Sequence, residues 1–289
     1  MGWTGRGTGL LALLGLALGL LAVPGGARAE PEKCPRMVAQ APSPFRTAMM
    51  LRNAERPLPA SLQVAATDSG QVQSGQVTLS FIGHATFLIE SPKGVTIATD
   101  YNDYIRPRGV PLVVTMNRAH DTHYTDHPDP GIAYVLRGWN PDGGAAQHEI
   151  TVEDVWIRNV PTNIRSGAAT LYDGNSMFVF EVSGLCIAHL GHLHHLLTQD
   201  HLEALGRIDV VLAPVDGSYT LDVEGMVETL KAINAPLVIP MHYFSAWGLD
   251  RFLGRLGKEY EITRSASATV TLSRETLPTK PTVLVLPGR

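Results

Sequence analysis

The sequence predicts an α/β fold in which two sheets pack together with helices outside. Three observations lead there. From Gln76 onward the chain first alternates apolar and polar residues in short runs bounded by turn residues, the mark of half-buried strands. Further on, apolar strand runs alternate with runs of helical period. The composition of the 289-residue chain, 44% hydrophobic and 17% charged, suits a large core and excludes a disordered chain, a coiled coil or a collagen-like fibre.

Residues 1–29 read as a secretory signal peptide: Arg6, an apolar run from Leu10 to Val23, then the small-x-small site Ala27-Arg28-Ala29. The run is shorter than the roughly 20 residues a membrane span needs. An uncleaved anchor is the alternative. The signal places the protein in the periplasm or outside the cell, with no stable membrane span after cleavage. Residues 30–75 form an N-terminal arm, where prolines at 31, 35, 42, 44, 57 and 59 interrupt any long element. A short helix is expected around Phe45–Ala54 and a Ser/Gly/Gln-rich loop over Thr67–Gly75.

Residues 76–289 form the domain. Val77, Leu79 and Phe81 alternate with Thr78 and Ser80; strands follow at Ala85–Glu90 and Val95–Thr99, split by Ser91-Pro-Lys-Gly94. Val110–Thr115 is a short strand, and a long loop then passes His120 and Pro130 to about Asn140. Further strands are expected at Val155–Val160, Met177–Val182, Leu185–His189, Ile208–Ala213 and Pro236–Met241, with helices at Leu197–Leu205, Leu221–Ile233 and Trp247–Leu256. Glu261–Ile262, Ala268–Leu272 and Thr282–Leu286 close the domain as strands. An oxidising compartment permits a disulfide between the two cysteines, Cys34 and Cys186. Leu185-Cys-Ile-Ala nevertheless reads as a core strand, so Cys186 is expected to be a small free core residue. The net charge of −4 carries no basic excess for nucleic acid.

Histidine placement carries the chemistry. Of eleven histidines, three lie in Ala119-His-Asp-Thr-His-Tyr-Thr-Asp-His127, four in His189-Leu-Gly-His-Leu-His-His195, and one in Ile239-Pro-Met-His-Tyr243. Each group closely follows a short apolar strand, where a rigid scaffold presents side chains freely. Imidazole is the commonest side-chain metal ligand, and several strand ends meeting at one edge assemble a multi-His site. For a lone histidine such as His127, His148 or His201, solvation or an ordinary hydrogen bond is the simpler expectation.

In order and spacing, Phe81-Ile-Gly-His-Ala-Thr-Phe-Leu-Ile-Glu90, Ile97-Ala-Thr-Asp100, Val113-Val-Thr115, Gly174-Asn-Ser-Met-Phe-Val-Phe-Glu181, Ile187-Ala-His-Leu-Gly191, Leu212-Ala-Pro-Val-Asp-Gly217 and Val238-Ile-Pro-Met-His-Tyr243 resemble the metallo-β-lactamase superfamily of metal-dependent hydrolases, in its lactonase-like and phosphodiesterase-like branch. The resemblance implies a four-layer αβ/βα sandwich with the active site at one edge. The family motif His-x-His-x-Asp-His falls here on Arg118, His120, Thr122 and His123; a shifted register uses Thr122, Tyr124, Asp126 and His127 but changes the distance from the strand. The third family ligand falls on Asn163, the bridging Asp on His192, and the last His is kept as His242.

The resemblance therefore implies an altered ligand set: His120, His123, His192 and His242 around one divalent ion, most readily zinc, rather than two. Arg118 is always charged and binds no metal, and Thr122 removes a carboxylate. Such a site keeps a net positive field that suits an anionic small-molecule substrate, with Arg118 as clamp. Asp100 occupies the position that fixes a ligand histidine's tautomer, with an N-cap or loop role as the alternative. His84 resembles a pocket-floor residue, with a buried histidine bonded to backbone as the alternative; Asn163, His194, His195, Asp216 and Tyr219 are the further lining candidates, with the opening of the following helix as the alternative for His194 and His195. Trp139 and Trp247 are expected in the core. Two functions follow. One is an exported hydrolase of an ester, lactone or phosphoester acting through a metal-bound hydroxide, with Asp100, Arg118 and Thr122 at the reaction centre. The other is a non-catalytic protein that binds a metal or anion on the same fold. A partner-binding module with incidental histidines ranks last.

Overall fold

The computed structural model describes residues 71–288 together with Met1, Gly2 and Cys34. The chain divides into two compact units, Met1–Pro31 and Glu32–Arg289. Every strand and helix among the described residues belongs to the second. The expected signal, the helix around Phe45–Ala54 and most of the arm lie outside the described residues.

The described strands are β1 (Val77–Gly83), β2 (Thr86–Glu90), β3 (Thr96–Ala98), β4 (Val113–Met116), β5 (Tyr134–Arg137), β6 (Glu149–Val152), β7 (Val155–Ser166), β8 (Ala169–Val182), β9 (Leu185–His189), β10 (Val210–Pro214), β11 (Leu237–Met241), β12 (Glu261–Arg264), β13 (Thr269–Leu272) and β14 (Thr282–Val285). They form a six-stranded sheet in the order β13-β1-β2-β3-β4-β5 and an eight-stranded sheet in the order β12-β14-β11-β10-β9-β8-β7-β6. The described α-helices are α1 (Gln199–Leu205), α2 (Val223–Ile233) and α3 (Ala246–Arg255).

Alternation along the strands sorts side chains into layers. Leu79, Phe87 and Ile97 from one sheet meet Ile157, Phe178, Phe180, Leu212 and Ile239 from the other in a core between the sheets. Their neighbours Val179, Val211 and Ala213 point the other way and pack under Leu205, Met226, Leu230, Phe252 and Leu253 of the helices. On the outer face of the six-stranded sheet, Ala98, Val114 and Met116 are covered by Tyr101, Ile132, Tyr124 and Trp139. The α/β sandwich thus stands, with loop side chains rather than a described helix covering that face. No helix among the described residues is long and apolar enough to cross a membrane.

β9, β10, β11 and β14 run parallel to one another, as do β3, β4 and β5. Chain segments leaving the carboxyl ends of parallel strands share one edge, and that edge is where α/β proteins place ligands. Asp100, His120, His123, His192, Asp216 and His242 all lie on such exits.

Three expectations change. The long loop before Asn140 contains β5, which pairs with β4 from Val113↔Tyr134 to Met116↔Arg137 and takes its structure from that partner, having little periodicity of its own. The strand expected from Val110 starts at Val113; Val110 is exposed. Cys186 is not a free core residue: it forms a disulfide with Cys34, whose backbone N–H donates to the Glu181 carboxylate. That pairing spans 152 residues and could not be deduced from two isolated cysteines, because bond formation depends on Cα atoms brought within reach, here 5.8 Å.

Candidate metal centre

Three hinges in the backbone aim the cluster. His84 in the β1–β2 turn, Asp100 after β3 and His242 after β11 all adopt left-handed backbone, at φ 52°, 42° and 55°. For residues with a Cβ this conformation is costly and persists where the surroundings over-determine it. Here the His242 N–H donates to the His84 carbonyl at 2.7 Å, and the Asp100 carbonyl accepts from the side chains of Thr86 and Asn102.

Two imidazole–carboxylate pairs lie at the bottom. His123 Nδ1 stands 2.6 Å from an Asp100 carboxylate oxygen, and His242 Nδ1 stands 3.0 Å from Asp216 Oδ1. A ring nitrogen donating to a carboxylate leaves the other nitrogen as a lone pair. The two Nε2 atoms face each other at 3.2 Å. Two neutral lone pairs repel at that distance, and a cation or proton between them removes the repulsion. The ligand atoms of His84, His123 and His242 lie within 4.8 Å of one another, and His84 Nε2 is buried without a hydrogen-bond partner. These residues fit a metal.

A second pair flanks the first. His192 Nδ1 lies 2.6 Å from His194 Nε2, and His192 Nε2 is buried with no partner. The His192 ring centroid lies 4.8 Å from that of His123 and 4.9 Å from those of His242 and His120. His120 itself is exposed.

Burial sets the charge states. It lowers His84 to about 3 and His194 to about 4, and it drives His123 and His192 well below the ordinary imidazole range, with the neighbouring rings adding to the effect. Burial also pushes Asp100 up to about 6, against the pull of neighbouring His189 and the Asn117 hydrogen bond. At Asp216 burial again opposes charge, but hydrogen bonds from His242 and Thr220 outweigh it and hold the carboxyl well below the usual range. His84, His123, His192 and His194 are thereby held as neutral donors, and Asp216 is held firmly ionised.

Supporting residues hold these groups. Asn117 donates to Asp100 Oδ1 and accepts from the Ser176 N–H. A Cβ on Gly138 or Gly191 would lie 2.3 and 2.4 Å from the Asn117 side chain, so both positions need glycine. His189 bonds the Ala85 carbonyl, next to His84. Asp216 Oδ2 accepts from the backbone of Ser218, Tyr219 and Thr220, so one carboxylate orients His242 and shapes the following loop.

The expected site residues thus divide. His123, His192 and His242 converge with Asp100 and Asp216. His84, expected on the pocket floor from the family resemblance, lies with His123 and His242 in the group whose nitrogens could hold a metal. His120 lies against His192 and outside the His84–His123–His242 group. Arg118 is exposed, and its side chain makes no hydrogen bond or ion pair among the described residues; Thr122 is half-buried and makes none either. Asn163 turns away: its side-chain oxygen accepts from the Asp173 N–H, and its own N–H donates to His195 Nε2, which occupies that ring. Tyr219 is exposed, with its ring centroid 6.0 Å from that of His120. Asp126 and His127 of the shifted register are exposed, outside the cluster. His148 bonds the Arg137 carbonyl and His201 completes the capping box of α1. Trp139 packs in the outer core, but Trp247 is 72% exposed and is not a core residue. His194, a candidate for the pocket lining, instead partners His192; missed altogether were Asn117 and Phe244, which directly follows the His242-Tyr243 pair.

Comparison with known proteins points the same way. A family model described as a beta-lactamase superfamily domain matches residues 78–242, more than half of the chain. A UPF0173 metal-dependent hydrolase of Thermoplasma acidophilum is 29% identical over 182 residues, 56% of this chain and 80% of that protein. One from Archaeoglobus fulgidus is 32% identical over 195 residues, 57% of this chain and 82% of that protein. Among solved structures, a Thermotoga maritima protein of the metallo-β-lactamase superfamily superposes with a TM-score of 0.55 at 31% identity, covering 74% of this chain and all of that one.

Proposed function

The chain belongs to the beta-lactamase superfamily, and from that premise we propose that it is an exported metal-dependent hydrolase of a small ester, lactone or phosphoester. One observation carries the reading: two imidazoles, each backed by a carboxylate, turn their Nε2 atoms to each other at 3.2 Å. Tetrahedral zinc with bonds of ~2.0–2.1 Å spaces its nitrogen ligands by roughly 3.3 Å, so zinc suits the pair. His84 and His192, each with a buried Nε2 that has no partner, complete a set of imidazoles for one divalent ion. The relatives' description as metal-dependent hydrolases supports the activity.

A divalent cation in this position polarises a carbonyl or phosphoryl oxygen and makes water a nucleophile near neutral pH. The chain's own residues do the rest. Asp100 and Asp216 hold the protons of His123 and His242 on Nδ1 and keep both Nε2 atoms aimed inward. His194 does the same for His192 from a neutral ring. A divalent ion held by neutral imidazoles would supply positive charge at the reacting atoms, which would favour an anionic transition state. Arg118, exposed on the His120–His123 loop, adds to that charge. The Cys34–Cys186 disulfide supports an oxidising compartment, periplasmic or extracellular.

The second reading, a metal- or anion-binding protein without turnover, draws on Thr122, which leaves the His120–His123 loop without the carboxylate of the family motif. Metal analysis of purified protein, followed by turnover of generic esters, lactones and phosphodiesters before and after chelation, separates them. Bound metal with chelator-sensitive turnover is expected. Bound metal with no turnover of any class selects the binding protein, and absence of metal at neutral pH refutes the hydrolase and the metal-binding form of the second reading. Fractionation of expressing cells, with thiol alkylation before and after reduction, checks export: the cysteines react only after reduction, in the exported fraction.

A further inference from the structure

The mouth of the cluster carries aromatic rings that the core does not use. Tyr219 is 59% exposed and Phe244 is 63% exposed. Their rings meet edge to face, with centroids 5.6 Å apart. The Phe244 centroid lies 5.2 Å from that of His242 and 5.7 Å from that of His84, and Tyr219 stands 6.0 Å from His120. Two large, exposed rings therefore stand beside the rings of His84, His120 and His242.

Their backbones are held. The Tyr219 N–H donates at 2.6 Å to Asp216, whose other oxygen faces His242. Arg165 bridges the carbonyls of Ser218 and Thr220 on either side of Tyr219. Phe244 sits between Tyr243, whose hydroxyl donates to the Leu286 carbonyl, and Ser245, which caps α3 through the Gly248 N–H. Rings presented in water on a fixed frame have already met much of the ordering cost of binding, and each gains by covering its apolar surface.

Resting on the hydrolase reading above, we infer that Tyr219 and Phe244 form a subsite for a planar apolar group of the substrate, an aryl or similarly flat moiety attached to the reacting ester, lactone or phosphoester. A molecule whose reacting group lies at His84, His123 and His242 brings its next group against these rings. Edge-to-face or offset stacking there favours aromatic over small alkyl substituents.

The test uses phenylphosphonate and methylphosphonate, which are not hydrolysed, titrated into the metal-loaded full chain by calorimetry, with saturation transfer to the phenyl protons read in parallel. Phenylphosphonate is expected to bind about tenfold tighter than methylphosphonate, the preference that ring contacts of this kind produce. Tyr219→Ala and Phe244→Ala reduce that ratio toward one, and Phe244→Leu falls between. Ile262→Ala, on the exposed edge strand β12, leaves it in place. Equal affinities in the native protein, a ratio untouched by both rim substitutions, or no binding of phenylphosphonate by either method overturns the subsite. Failure of the hydrolase reading is separate: it appears as absent metal or absent turnover, and saturation transfer from the aromatic rim to the phenyl protons is still read in that case.

Discussion

The two sides of the histidine cluster are made of the same side chain and held by different means. On one side, carboxylates back His123 and His242, and their Nε2 atoms stand 3.2 Å apart. On the other, His192 is backed by a second neutral imidazole, His194, and its neighbour His120 is exposed. A carboxylate holds a ring by a charge-assisted bond and raises its basicity as a ligand; an imidazole orients the ring with less of either. The cluster should therefore grip a cation chiefly through His123 and His242, with His192 as the weaker, more exchangeable arm.

The widest separation comes from the ligands themselves. His242→Ala and His123→Ala should each lose more metal affinity than the 10- to 100-fold typical of backing residues, measured by competition with a chelating dye. Affinity within a fewfold of native in both would end the claim that this side dominates. Next in size are the carboxylates. Asp216→Asn and Asp100→Asn should each cost about 10- to 100-fold in metal affinity, with the cobalt-loaded protein showing altered absorption bands. His194→Ala should cost less than either, on the order of tenfold or below, and His194→Gln should recover part of it because its amide can also accept from His192 Nδ1. A loss at His194 equal to that at Asp216 would erase the difference between the two sides.

The smallest effect is the pH dependence of the metal-free fold. His84, His123, His192, His194 and the hydrogen-bonded His148 are all lowered by burial. In the unfolded chain each takes up a proton near pH ~6.5. Below that value the unfolded state binds more protons, so stability is full above it and falls as pH drops toward the folded values, about 3 for His84 and about 4 for His194. Asp100, raised to about 6, works with the opposite sign: it contributes stability below its unfolded value and loses it as pH rises toward 6. Denaturant unfolding of apo protein between pH 7 and 5 should show falling stability, and His148→Gln should flatten that fall without touching metal affinity. A flat profile for the native apo protein would show that these rings are not held neutral.

Much of the frame was legible because its causes are local. Val77, Leu79 and Phe81 alternate with Thr78 and Ser80, and β1 forms there; the apolar runs before His189 and His242 became β9 and β11. β5 was not legible, since it is ordered by its neighbour β4. In the site, His123, His192 and His242 were marked by their place after strands, and Asp100 and Asp216 by the family resemblance. His194 was marked by its histidine group but not as the partner of His192, and Phe244 carried no signal that set it apart from ordinary loop residues.

Taken alone, the order of residues determined which stretches become strands and helices, and that histidines gather at strand exits, because periodicity and loop position act over a few residues. Which nitrogen atoms meet was decided by the folded chain. His84 joined His123 and His242 where three left-handed backbone turns aim the chain inward, and Cys34 met Cys186 across 152 residues. Those features depend on packing between segments far apart in sequence, and side-chain convergence at the ångström scale is set by that packing.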